Sequence, residues 1–294
     1  MPRQIIESVV AEAVPLGLRE IIPSTMGEPL LYPDFDVFPA VCRKYGLRLN
    51  LTTNGTFPGP RSIHEWADQL LPVASDVKVS WNGASENVYE RIMPGDCGYE
   101  QSLHNLKAFV KERDAFAETG GNRCHITLQV TFMKCNLNDL EGIVRLAIEL
   151  GIDRVKGHHL IVTSPQIASE SILSDRSCHL QWNNLVKRLR MLVEERPTSL
   201  GRMVELVNFT EISTGFTRDK VMVGRCPFIG EEAWINQNGE YNPCCNLDAE
   251  RRKLGLTQHL TPGGLANIWS SKRLREFMEN FPSHPVCLKC LLKR

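Results

Sequence analysis

The chain has 294 residues, 42% of them hydrophobic and 23% charged, ordinary proportions for a globular protein that exclude disorder or a fibre as a whole-chain description. Lys plus Arg (34) equals Asp plus Glu (34), so no global charge favours nucleic acid or a membrane surface, and neither is expected as a partner. No run of about 18 apolar residues occurs, and ten cysteines exceed what packing needs; a cytoplasmic protein with metal-binding or reactive thiols is expected.

Ile5, Ile6, Val9, Val10 and Val14 share one helical face; Pro15 stops that helix, Gly17 caps it, and Leu18 to Ser24 follows as a strand. The same helix, glycine, strand sequence recurs. Pro33 to Tyr45, Gly46 and Leu47 to Thr53 repeat it, as do Leu137 to Leu150, Gly151 and Ile152 to Val162. Between them lie a strand over Ser75 to Trp81, a helix over Gln101 to Phe116, and a strand over Cys124 to Met133 set off by the turn signal Thr119-Gly120-Gly121-Asn122. Alternation of this kind over about 160 residues predicts βα units around a parallel sheet. Because the series opens on a helix, its first strand and the loop after it are expected to be missing.

Beyond Val162 the pattern loosens. Ser164 to Ser177 reads as loop, His179 to Glu195 as a helix, and Pro197 to Arg225 has no assignable element. Trp234 to Asn236 and Glu240 to Asn242 flank Gln237-Asn238-Gly239, a hairpin signal, and Ser270 to Phe281 forms a helix ahead of Cys287-Leu288-Lys289-Cys290. The boundaries expected are a barrel over residues 1–200 and a smaller cysteine-rich module over 201–294.

Cys226, one of the adjacent pair Cys244 and Cys245, Cys287 and Cys290 carry the strongest chemical signal. A hairpin can return distant thiolates to a Cys-x-x-Cys pair, and four soft ligands suit one iron-sulfur cluster or one zinc ion. Neighbours on a strand point to opposite faces, so only one of Cys244 and Cys245 is expected to reach the centre; Cys244 is taken. The other cysteines lack metal-ligand spacing. His158-His159 reads as a structural pair at the end of a strand.

Three further segments follow successive strands: Thr25-Met26-Gly27-Glu28-Pro29, Thr52-Thr53-Asn54-Gly55 and Ser80-Trp81-Asn82-Gly83. Each is also a good turn former. Together they resemble the radical S-adenosylmethionine (SAM) superfamily, whose partial (β/α)6 barrel carries Gly-Glu-Pro after its second strand. Cys226, twelve residues, Gly239, four residues, Cys244 and then Cys287-x-x-Cys290 is similar to the SPASM or Twitch auxiliary-cluster extension of that superfamily. The fold class expected is therefore α/β, a partial (β/α)6 barrel missing its first strand plus a small C-terminal α+β module.

The resemblance implies SAM and an auxiliary [4Fe-4S] cluster as cofactors, with zinc the alternative metal. Gly27, Glu28, Pro29, Thr53, Asn54, Ser80 and Asn82 would bind SAM, Glu28 taking the methionine ammonium and Ser80 and Asn82 the ribose; Cys226, Cys244, Cys287 and Cys290 would bind the metal. It implies an oxidoreductase that abstracts hydrogen atoms, with a peptide or protein as substrate and flavodoxin or ferredoxin as electron donor. In one respect the chain departs from the family. No three cysteines have the Cys-x3-Cys-x2-Cys spacing that holds the SAM cluster, so the chain is expected to be an amino-terminally truncated form, inactive as it stands. The alternative is a non-catalytic iron-sulfur or zinc module on a degenerate barrel.

Overall fold

The computed structural model describes residues 1–23, 27–95, 97–213, 226–261 and 263–290. The chain forms two compact units, Glu20–Arg218 and Met1–Arg19 with Asp219–Arg294. Its first helix, α1 (Arg3–Ala13), belongs to the second of these.

The larger unit is built on a six-stranded sheet in sequential order, every neighbouring pair parallel: β1 (Glu20–Ile21), β2 (Arg48–Thr53), β3 (Ala74–Ser80), β4 (His125–Phe132), β5 (Arg154–His159) and β6 (Glu205–Val207). Helices α2 (Val37–Tyr45), α3 (Ile63–Leu70), α4 (Glu86–Ile92), α5 (Gly98–Glu118), α6 (Leu140–Leu150) and α7 (His179–Glu195) make the crossovers. With sequential order each crossover turns the same way, which lays the helices on one face. Side chains sort accordingly. Leu49 and Leu51, Val77 and Val79, Ile126, Leu128 and Val130, and Val155 are buried, whereas the alternate positions Asn50, Thr52, Lys78, Ser80, Gln129, Thr131 and Lys156 are half-buried. The sheet therefore presents a polar face opposite its helices.

Gly46 and Gly151 end α2 and α6 at φ of 66° and 69°, a left-handed conformation that only glycine takes cheaply. The predicted helix-to-strand junctions stand where expected. Two strand predictions change. The strand expected over Leu18 to Ser24 keeps only Glu20 and Ile21 in the ladder, and Ser24 lies outside the described residues. A sixth strand, β6, emerges from the unassigned stretch after Pro197; three residues are too few to show a period. Helices α3 and α4 were not foreseen either, and α4 is the shorter. Its seven residues supply a single buried side chain, Tyr89.

The smaller unit carries an antiparallel sheet of β7 (Trp234–Ile235), β8 (Glu240–Asn242) and β9 (Gln258–His259), with the hairpin where Asn-Gly predicts it. Helices α8 (Asp248–Arg252), α9 (Gly264–Trp269), α10 (Lys272–Asn280) and α11 (Pro285–Leu288) follow. Tyr241, Leu256, Leu265, Ile268 and Leu274 form its core, and Val9 and Ala13 of α1 pack against it. Glu12 of α1 also accepts hydrogen bonds from the backbone N–H groups of Gly263 (2.7 Å) and Leu265 (2.9 Å) at the start of α9. A boundary at residue 200 groups α1 with the barrel; its packing groups it with the C-terminal unit. Periodicity shows that a helix has an apolar face, not what that face meets.

Candidate functional site

Glu28 stands at the head of a short 3-10 turn, Pro29–Leu31, beyond the end of β1. One carboxylate oxygen, Oε1, accepts from Leu30 N–H (3.1 Å) and from the Thr53 hydroxyl (2.9 Å), and Oε2 accepts from Asn54 N–H (2.6 Å). Two strand ends thus converge on one side chain. A carboxylate offers roughly four acceptor positions, so among the described residues one remains on Oε2 after these three bonds. Burial raises the Glu28 pKa above the usual carboxylate value, against the opposing pull of the bonds from Asn54, Leu30 and Thr53.

Gly27, Glu28, Thr52, Thr53, Asn54, Ser80 and Gln129 line a cavity of about 430 Å³ at the carboxyl ends of β2 and β3 and on the polar face of β4. Parallel α/β sheets form ligand sites at such strand ends because their βα loops gather there. Five of the seven residues expected to bind SAM border this cavity: Gly27, Glu28, Thr53, Asn54 and Ser80. Thr25 and Met26 of the same motif lie outside the described residues.

Pro29 and Asn82 do not border it. Pro29 is buried in the 3-10 turn. The Asn82 carboxamide oxygen accepts from Thr131 N–H (2.8 Å), and Asn136 Nδ2 donates to the Asn82 carbonyl (3.0 Å) and to the Thr131 carbonyl (2.9 Å). These two asparagines clasp the end of β3 to the end of β4, next to the register pair Ser80 and Gln129. Fully buried Asn136 also accepts from Met133 N–H (3.0 Å). Asp139 holds the same loop, accepting from Ala84 N–H, Ser85 N–H and the Ser85 hydroxyl at 2.8–2.9 Å.

Gln129 and Thr52 were missed. Thr127, Gln129 and Thr131 alternate with Ile126, Leu128 and Val130, so a period of two marks Gln129 as belonging to the polar face. The Gln129 Nε2 approaches Nε2 of exposed His158 at 3.3 Å. His159 turns the other way, among the rings of Phe132 and Trp182, with centroids at 5.3 and 4.7 Å. Burial, reinforced by the charge of His179, depresses its pKa to about 4, and its Nδ1 has no hydrogen-bond partner among the described residues.

In the smaller unit, Cys226, Cys244, Cys287 and Cys290 border one cavity although 64 positions separate the first from the last. Phe228, Ile229, Leu254, Phe281 and Val286 supply apolar walls. The thiols ring a space instead of meeting at a point: among the described residues no three metal-donor side chains are grouped to hold a single ion. Burial raises the Cys244 pKa, an N–H bond from Asn246 lowers it, and nearby Cys226 and Cys290 raise it. A bound metal would reverse this, since it binds the thiolate.

Cys245 corrects the strand argument. Strand β8 ends at Asn242 and Pro243 follows, so alternation no longer applies, and Cys245 borders the same cavity as Cys244. Five thiols surround the space where four were expected.

A family model for the radical SAM superfamily matches residues 1–147, and one for an iron-sulfur cluster-binding domain, SPASM, matches residues 226–291. The chain belongs to the radical SAM superfamily. It is 24% identical over 295 residues to a tungsten-containing aldehyde ferredoxin oxidoreductase cofactor-modifying protein of Pyrococcus furiosus, covering 94% of this chain and 74% of that protein. It is 30% identical over 146 residues to the PqqA peptide cyclase of Ruegeria pomeroyi, covering 49% of this chain but only 35% of the cyclase. Among solved structures, SuiB of Streptococcus suis superposes with a TM-score of 0.66 at 18% identity, over 99% of this chain and 65% of SuiB. The anSMEcpe protein with bound AdoMet superposes with a TM-score of 0.62 at 14% identity, over 99% of this chain and 78% of that one. These two likenesses show the fold.

Proposed function

We propose that these residues form the SAM-binding barrel and auxiliary-cluster module of a radical SAM enzyme that acts on a peptide by hydrogen-atom abstraction. The observation that carries this reading is the Glu28 cradle. Three donors, two from the end of β2 and one from the turn that Glu28 heads, fix the carboxylate and leave one acceptor position among the described residues, beside a cavity whose other polar groups are short hydroxyls and amides. That arrangement suits the ammonium of the methionine moiety, with Ser80 and Gln129 placed for sugar hydroxyls and Gly27 leaving room for backbone approach.

An iron-sulfur cluster with an open iron supplies the electron that makes a bound SAM reactive. Its three ligands at Cys-x3-Cys-x2-Cys spacing are not among these 294 residues, so these residues alone bind SAM without cleaving it. The cysteine cavity takes the second cluster. Soft thiol donors around a space with apolar walls suit a polynuclear cluster better than a single zinc ion, and the matched domain is an iron-sulfur one. All ten cysteines are outside disulfides, as thiols that hold a cluster must be; a flavodoxin or ferredoxin is the electron donor that this reading takes. A peptide substrate is supported by the peptide cyclase relative and by SuiB, solved with its precursor peptide.

Anaerobic reconstitution with iron and sulfide, followed by SAM and dithionite, tests this. The chain should take up iron and sulfide, bind SAM, and form no 5′-deoxyadenosine; a longer chain that includes the three further cysteines should form it. Failure to bind SAM in either form would overturn the proposal.

A further inference from the structure

The cysteine cavity has one thiol more than a four-iron cluster needs. Such a cluster is held by four cysteine thiolates, and five cysteines border the space: Cys226, Cys244, Cys245, Cys287 and Cys290. Which of them is surplus follows from their placement. Cys287 and Cys290 form the Cys-x-x-Cys pair at the end of α11. Cys226 precedes β7 and Cys244 follows β8 in the chain, and Cys244 and Cys287 are both buried in one apolar cluster with Ile229 and Leu254, against which Cys226 packs. Cys245 follows Cys244 directly, half-buried and beyond the last ladder residue of β8.

On a regular strand that adjacency would point Cys245 away from the cavity. Pro243 lacks a ladder N–H, and residues 243–246 form bends, so both side chains remain on the cavity side.

We propose that Cys245 is an exchange ligand of the auxiliary cluster: it can take the iron corner that Cys244 holds, so the site has two alternative ligand sets that differ by one residue. This rests on the cluster assignment made above. In the exchange the Cys245 thiol gives up its proton as its thiolate binds iron, and Cys244 leaves the iron and takes a proton. No electron moves. The two sets place the ligating sulfur on neighbouring residues, so exchange changes the surroundings of one iron corner without changing the composition of the centre.

The test compares the full chain with Cys244→Ala, Cys245→Ala and the double variant after anaerobic reconstitution. Iron and acid-labile sulfide are measured, with electron paramagnetic resonance of the reduced protein. Circular dichroism shows that each variant is folded. Cys244→Ala should keep most of its iron and sulfide with a shifted resonance spectrum, Cys245→Ala should match the parent, and the double variant should lose at least about tenfold in cluster content. Alkylation of the loaded proteins gives an independent readout: Cys245 should react in the parent and be protected in Cys244→Ala. Loss of the cluster from Cys244→Ala alone, or its full retention in the double variant, would overturn the exchange. A parent chain that takes up no iron would instead overturn the cluster assignment on which the exchange depends.

Discussion

Replacing Glu28 by Gln separates the charge of the cradle from its shape. The carboxamide keeps an oxygen where Oε1 accepts from Leu30 and Thr53, but presents NH2 to the Asn54 N–H that Oε2 now meets at 2.6 Å. Two effects follow. One buried donor loses its acceptor, which costs about 1–3 kcal/mol of stability. The ammonium of SAM loses a charge-assisted bond of about 1.5–3 kcal/mol, so SAM should dissociate about 10- to 150-fold more readily.

The pH dependence has opposite signs for the two properties. Burial holds the folded-state pKa of Glu28 above its unfolded value, so the folded apo chain binds the proton more tightly, and this group's contribution to stability falls as pH rises through that window. SAM binding requires the ionised form, so affinity rises through the same window and then levels off. Calorimetric titration of SAM from the ordinary carboxylate range upward in pH, beside thermal unfolding of the apo chain, reads both. Glu28→Gln should flatten both profiles. A variant that binds SAM as tightly as the parent, with the parent's own affinity flat across this range, would show that the ammonium does not sit at Glu28.

The His159 pKa, depressed by burial to about 4, means that the unfolded state binds more protons between about pH 6.5 and pH 4, so stability should drop by about 3 kcal/mol as pH falls across that interval; urea unfolding of His159→Phe should lack most of this slope. Asn136→Ala removes the donor to the Asn82 and Thr131 carbonyls and the acceptor for Met133 N–H; unfolding should be easier by about 3 kcal/mol, and SAM should bind more weakly because Ser80 and Gln129 lose their spacing. Arg113, fully buried and bonded to Asp153 (2.7 Å) and the Gly151 carbonyl (2.9 Å), lies outside the cavity. Arg113→Met should cost about 3–5 kcal/mol in denaturant unfolding while leaving SAM affinity of the folded fraction unchanged.

The helix-to-strand junctions at Gly46 and Gly151 were legible because these glycines have a physical signature: they adopt a left-handed conformation that stops the helix and returns the chain to the sheet. The Glu28 cavity was legible in part, for a related reason. Its residues apart from Gln129 lie just beyond or at the ends of strands, where a short polar run is visible against the apolar strand before it. What the sequence does not carry is partnership. The apolar face of α1 is plain in the spacing of Ile6 and Val10, yet only the folded chain shows Val9 and Ala13 against the core around Tyr241. The family match begins at residue 1, so ancestry groups α1 with the barrel while packing groups it with the other unit.

Cys245 was assigned a direction from a strand beyond the residue where that strand stops, whereas Asn82 was placed at the ribose by the family resemblance; both lie past the end of a strand. Strand β3 ends at Ser80, and two residues later the chain has turned enough for the Asn82 amide to bind Thr131 across the clasp. Strand β8 ends at Asn242, and the bends after it release Cys245 from alternation and bring it to the thiol cavity. Period-two reasoning holds only while ladder hydrogen bonds persist. In this fold the chemistry is concentrated just past that limit, where the backbone leaves the ladder and a side chain is directed by its own hydrogen bonds. Asn82 holds the end of β3 to the end of β4 next to Ser80, and Cys245 borders the cysteine cavity.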